Sequence, residues 1–156
     1  MVNKRLWSAI FGVVVLVVAV VLVTRMSGEV AAAAPAPQTV HGYLQTQVVA
    51  AGETQGTITQ GGWLNGTTQD QISVTSLTGT SYTATFQDVT KSGTLVLQDQ
   101  GQFFSDGSFT ESGTVDATAS TGRFAGASGR LTFQGSTSDG VHFTATVSGE
   151  IVVAGE

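Results

Sequence analysis

The sequence predicts an all-β fold, an eight-stranded antiparallel β-barrel, preceded by one N-terminal transmembrane or signal helix. Three observations predict it. Residues Leu6–Val23 form an uncharged apolar run. From Gln38 onward no helical periodicity of useful length appears. In its place, short alternating runs recur between Gly, Asn, Asp and Ser residues.

The N-terminal segment comes first. Lys4 and Arg5 precede the apolar run and Arg25 closes it. A helix of that length rises roughly 27 Å, close to the apolar thickness of a bilayer. In lipid a helix satisfies its own backbone hydrogen bonds, so even a valine-rich stretch is helical there. Trp7 stands at an interfacial position, and the leading positive charges favour a cytoplasmic N-terminus. Residues 1–5 are then a cytoplasmic N-terminus, 6–24 a transmembrane anchor or signal segment, 25–37 an Ala/Pro linker, and 38–156 the β-barrel domain. The run exceeds the apolar core of a signal peptide, about 7–15 residues. The small residues Ala31–Ala34 also begin well beyond Val23, which favours an uncleaved anchor. Cleavage there would leave a secreted domain, and either fate places the β domain outside the cytoplasm. Pro35 and Pro37 keep the linker extended.

The alternating runs place eight strands at 39–50, 57–64, 71–78, 81–88, 93–99, 108–118, 129–135 and 141–153. The last is the clearest. Val141, Phe143, Ala145 and Val147 alternate with His142, Thr144, Thr146 and Ser148, one face buried and the other wet. Leu131 and Phe133 repeat the pattern, and Ile72, Val74, Tyr82, Ala84 and Phe86 extend the apolar face. Asn65-Gly66 and Asp139-Gly140 read as hairpin turns, because both dipeptides tolerate positive φ. Closing short antiparallel strands into a barrel removes their unpaired edges, and an open sandwich is the alternative. At eight strands the interior holds packed side chains or one small ligand.

Composition narrows the partners. Cysteine is absent, so disulfides and thiol nucleophiles are excluded. Beyond the linker only Lys91, Arg123 and Arg130 are basic, against ten acidic residues, a net charge of −7. Such a surface repels phosphates, which argues against nucleic acid and anionic lipid headgroups. The expected membrane contact is the N-terminal helix alone.

The stretch Gly107-Ser108-Phe109-Thr110-Glu111-Ser112-Gly113, followed by Ser120-Thr121-Gly122-Arg123-Phe124-Ala125-Gly126-Ala127-Ser128-Gly129, carries a family pattern. Thr-Gly-x-Phe-x-x-Ala-x-Gly between two strands resembles the allene oxide cyclase and dirigent-like barrel superfamily, in particular its exported bacterial members. In physical terms Gly122, Gly126 and Gly129 permit sharp turns, while Phe124 and Ala127 pin the connection against the barrel end. The resemblance implies an eight-stranded barrel with an apolar central cavity, assembled as a homotrimer, with no cofactor. The plant cyclases isomerise an unsaturated fatty-acid epoxide, and dirigent proteins steer the coupling of phenoxy radicals. This chain lacks the pocket cysteine associated with the cyclases. It also has Ala119-Ser120-Thr121-Gly122 where the fuller motif starts Gly-Gly-Thr-Gly. The resemblance therefore implies a fold and no catalytic residue.

Among candidate site residues, Glu111 shares strand parity with Phe109, Val115 and Ala117, which points a carboxylate into the barrel. Desolvation there raises its pKa and makes it available for acid–base work or a polar ligand group. Against this stand a bulge at Gly113, which would flip the phase, and a position at the solvated mouth. Glu111, Phe109, Phe133, Phe143 and Tyr82 are the expected ligand-binding residues. Asp88 shares parity with Tyr82 and Phe86 but ends a strand, which places it at the rim. His41 and His142 begin the first and last strands, neighbours that run antiparallel, so no metal site is expected. Arg123 either clamps a carboxylate or pairs with a nearby acid. No serine sits in a Gly-x-Ser-x-Gly elbow.

Three functions stay open: a binding module for a small apolar molecule, a cofactor-free isomerase or cyclase using the same cavity, and a structural cell-surface domain. Bulky Phe86, Phe109, Phe133 and Phe143 would fill a narrow barrel, whereas Ala84, Gly113, Ala117 and Ala145 leave gaps.

Overall fold

The computed structural model describes residues 34–74 and 81–154. The predicted anchor and the linker up to residue 33 lie outside the described residues, as do 75–80. Among the described residues no helix is long and apolar enough to cross a membrane.

Eight strands form the domain: β1 (Gln38–Ala50), β2 (Glu53–Thr59), β3 (Gly66–Val74), β4 (Ser81–Thr90), β5 (Gly93–Phe103), β6 (Ser108–Val115), β7 (Ser128–Ser136) and β8 (His142–Val152). Each pairs antiparallel with the next, and β8 returns to β1 along the register from Gln38↔Ile151 to Gln47↔His142. The sheet is a closed barrel and not a sandwich. Closure leaves no edge strand exposed, which a domain without disulfides needs if it is to avoid edge-to-edge aggregation.

The up-and-down topology gives the barrel two unlike ends. At the base lie the connections 60–65, 91–92 and 116–127, and at the mouth lie 51–52, 104–107 and 137–141. The base is sealed by two single turns of 3-10 helix, Gly62–Leu64 and Gly122–Phe124. Leu64, Phe124 and Ala127 are fully buried there beside Val40, Leu95, Ile151 and Val153. The 116–127 connection is pinned by backbone bonds from Asp116 to Val96 and from Thr121 to Thr94. Ser120 Oγ also accepts from the Val96 amide at 3.0 Å, so outward-facing Val96 is covered. Positive φ at Gly122 and Gly126, +61° and +73°, lets the connection turn twice within five residues. This is the loop that carries the Thr-Gly-Arg-Phe pattern, and Phe124 and Ala127 anchor it as expected.

Inside, large and small residues alternate because an eight-stranded barrel is narrow. Phe86 and Phe133 pack at 5.1 Å between ring centres, with Leu97, Leu131 and Val147 around them. Tyr82 lies across Gly101 and Asp99 lies across Gly113, so close that a methyl group at either glycine would collide.

The structure corrects several boundaries. β2 runs from 53 to 59 and not from 57 to 64, because its inward positions are Thr54, Gly56 and Ile58 and show no apolar alternation. The apolar Trp63-Leu64 pair belongs to the base turn. Asn65-Gly66 is accordingly no two-residue hairpin: Asn65 ends that turn, and its Oδ1 accepts from the Gly61 amide at 2.8 Å. β3 starts at Gly66, ahead of the expected residue 71, and β6 stops at Val115, leaving Ala117 in the connection. Val141 is exposed, not inward, because Asp139 holds the Val141 and His142 amides in a loop before β8 begins.

Candidate functional site

The mouth half gathers most of the polar groups that the described interior holds. β4 supplies Tyr82, β5 Phe103 and Asp99, β6 Phe109 and Glu111, β3 Asp70 and Ile72, and β8 Phe143. All of these reach inward by the strict alternation of their strands. β6 has no bulge at Gly113, since Gly113 pairs with Asp99 and Leu131 in unbroken register. Glu111 therefore points inward and is buried.

Four rings form a collar. Phe103 stands 5.0 Å from Tyr82, 5.6 Å from Phe109 and 5.9 Å from Phe143, and Phe109 meets Phe143 edge-on at 6.0 Å. Beneath the collar, the Tyr82 hydroxyl donates to Glu111 Oε2 at 2.6 Å. Asp99 is only 2% exposed, and no N–H or hydroxyl of the protein reaches either of its oxygens. Its polar neighbour is the Glu111 carboxyl, and two carboxyls hydrogen-bond only when one holds a proton. Asp70, 7% exposed, joins the group with Oδ1 unpartnered.

The electrostatics follow from burial. Desolvation, then the charge of Glu111, pushes the Asp70 carboxyl up to about 7, and the Gln71 amide offsets only part of this. Desolvation, the hydrogen bond with Glu111 and the charges of Glu111 and Asp70 drive Asp99 far above the carboxylate range. Burial and the neighbouring Glu111 likewise hold the Tyr82 phenol protonated.

The space within the collar is small, about 40 Å³, bounded by Leu44, Asp70, Tyr82, Phe109, Glu111 and Phe143 among others. A benzene ring takes a cavity of roughly 150 Å³. Among the described residues the barrel is filled below the mouth by Phe86, Phe133, Leu97, Leu131 and Val147.

Of the residues singled out from the sequence, Tyr82, Phe109, Glu111 and Phe143 come together there. Phe133 does not: it is fully buried against Phe86, beneath the mouth. Asp88 is not at the rim. It is fully buried toward the base, lies against Gly66, and has both oxygens without a protein donor. Burial alone raises its carboxyl to about 7. Arg123 at the base donates to Gln38 Oε1 at 3.2 Å, and its guanidinium lies 5.0 Å over the Trp63 ring. His41 and His142 are exposed near opposite ends, as expected, and His142 Nδ1 lies 2.8 Å from Asp139 Oδ2. Asp70 and Asp99 were missed. Asp99 shares parity with Leu95 and Leu97, and Asp70 with Ile72, so strand phase would have found both.

Neither family models, nor curated proteins, nor solved structures yield a match to this chain.

Proposed function

We propose that the domain is an extracytoplasmic binding module that seats the end of a small ligand in the barrel mouth, tethered by residues 6–24 or released after their removal. One observation carries this reading: a collar of four aromatic side chains stands over buried carboxyl oxygens, Oδ1 of Asp70 and both of Asp99, that no N–H or hydroxyl of the protein reaches. A group built only for stability would hold apolar residues there, since a buried polar atom without a partner costs about 1–3 kcal/mol. The resemblance to cyclase and dirigent-like barrels supports a ligand in the same part of the fold. The narrow interior argues for a ligand whose end enters while its body stays at the rim. Exposed Val48, Val49, Phe104 and Val141 supply an apolar surface for that body at the mouth connections.

The test is a thermal-shift screen of short-chain alcohols, carboxylic acids, phenols and amines. At least one class should stabilise the wild-type protein, and Phe143→Ala should lose that stabilisation. No shift from any class would sink the reading.

A further inference from the structure

We infer that the mouth binds a primary alkylammonium ion, its ammonium on the carboxyls of Glu111 and Asp70, with Asp99 behind Glu111, and its chain between Phe103, Phe109 and Phe143. This rests on the mouth being a ligand site and names the ligand class.

The hydrogen-bond inventory selects the head group. Asp70 Oδ1 lines the space as an acceptor without a protein donor, although Asp70 is only 7% exposed, and Asp99, against the Glu111 carboxyl, meets no N–H or hydroxyl of the protein. An ammonium brings three donors and a compensating charge. A neutral hydroxyl brings one donor, and a carboxylate ligand brings none and adds like charge. Metal ions demand a tight polar ligand set, and among the described residues no His, Cys, Asp and Glu group has that arrangement.

Charge is distributed in the same sense. Glu53, Asp70, Asp99, Asp106, Glu111 and Asp139 lie in the mouth half, where no Lys or Arg stands among the described residues. Residues 75–80, outside the described residues, include no Lys, Arg, Asp or Glu in the sequence. Lys91, Arg123 and Arg130 all lie at or near the base connections. A narrow low-dielectric barrel focuses such a field on its opening and draws cations to it. The collar adds to the attraction, because ring faces are negative and favour a desolvated cation. The space of about 40 Å³ admits an ammonium and its first methylenes, but no aromatic ring.

Binding must also displace protons. The titratable groups facing the site are Asp70 on β3, Tyr82 on β4, Asp99 on β5 and Glu111 on β6. The facing parts of β1, β2 and β8 contribute Leu44, Thr46, Thr54 and Phe143, and none of the lining residues comes from β7. With Asp70 raised to about 7, a cation competes with a proton at acidic pH and less so at pH 8.

Isothermal titration of the full chain with n-butylammonium, 1-butanol, butyrate, tetramethylammonium and calcium tests this. Saturable binding of n-butylammonium alone is expected, roughly tenfold tighter at pH 8 than at pH 5.5, with protons released to the buffer. Glu111→Gln and Asp70→Asn should each weaken it by about tenfold or more at pH 8. Should either variant fail to fold, the other, and the butylammonium-to-butanol comparison in the wild type, still decide. Equal binding of 1-butanol, or preferential binding of butyrate, tetramethylammonium or calcium, would overturn the ammonium assignment and leave the ligand-site reading standing. Binding of no probe, together with a blank thermal-shift screen, would remove both.

Discussion

Replacing Asp88 by Asn should stabilise the barrel at pH 8 and leave it nearly unchanged at pH 4. Asp88 is fully buried near Gly66, accepts no hydrogen bond from the protein, and owes its raised pKa to burial alone. Below the unfolded-state value of 3.8, both folded and unfolded chains are protonated, and the carboxyl is neutral in each. As pH rises toward about 7 the unfolded chain loses the proton while the folded chain keeps it. Folded-state stability therefore falls across that window and levels off above it. Raising the carboxyl from 3.8 to about 7 corresponds to about 4 kcal/mol as an upper figure, and relaxation around the charge lowers it to about 2–4. Asn is isosteric and uncharged, so it removes this loss without opening a cavity. Because no other charge contributes to the Asp88 shift, the difference between variant and wild type cancels the titration of the mouth carboxyls. Urea unfolding at pH 4 and pH 8, followed by Trp63 fluorescence and circular dichroism, measures it. Equal effects at the two pH values would refute the reasoning, since Asp88 would then titrate alike in folded and unfolded chains.

Two further outcomes test the packing. Phe133→Ala should cost about 3–5 kcal/mol, because the ring is fully enclosed against Phe86, whereas exposed His142→Ala should stay within about 0.5 in the same unfolding assay. Gly113→Ala should cost about 1–3 kcal/mol although its backbone is ordinary strand, because the new methyl would meet Asp99 and also Leu97 Cδ1 at 3.0 Å.

Strand phase was the legible part of the sequence, and strand ends were not. Val147, Ala145 and Phe143 alternate with polar neighbours, so β8 and the inward direction of its residues could be read directly. β2 could not, since its inward positions are Thr54, Gly56 and Ile58, and a narrow barrel needs such small residues opposite large ones. The eye goes instead to Trp63-Leu64, which fold under the base. Glu111 was legible because Phe109 marks its face. Asp88 had the right parity but was assigned to the rim, on the ordinary expectation that a carboxylate at a strand end is solvated. Burial of several acids in one small barrel runs against that expectation, and only the register across β3, β4, β5 and β6 reveals that Asp70, Tyr82, Asp99 and Glu111 share one end. The base loop was legible for a different reason: its glycines and Phe124 form a local pattern that does not depend on distant strands.

The central claim is that buried carboxyls in the mouth hold protons until a cation replaces them. Carboxyl carbon NMR of Asp70 across pH, with and without n-butylammonium, measures this directly. The account predicts a midpoint near 7 in the free protein, moving to lower pH as the amine is added. A midpoint near 4 in the free protein, or one that the amine leaves in place, would contradict it.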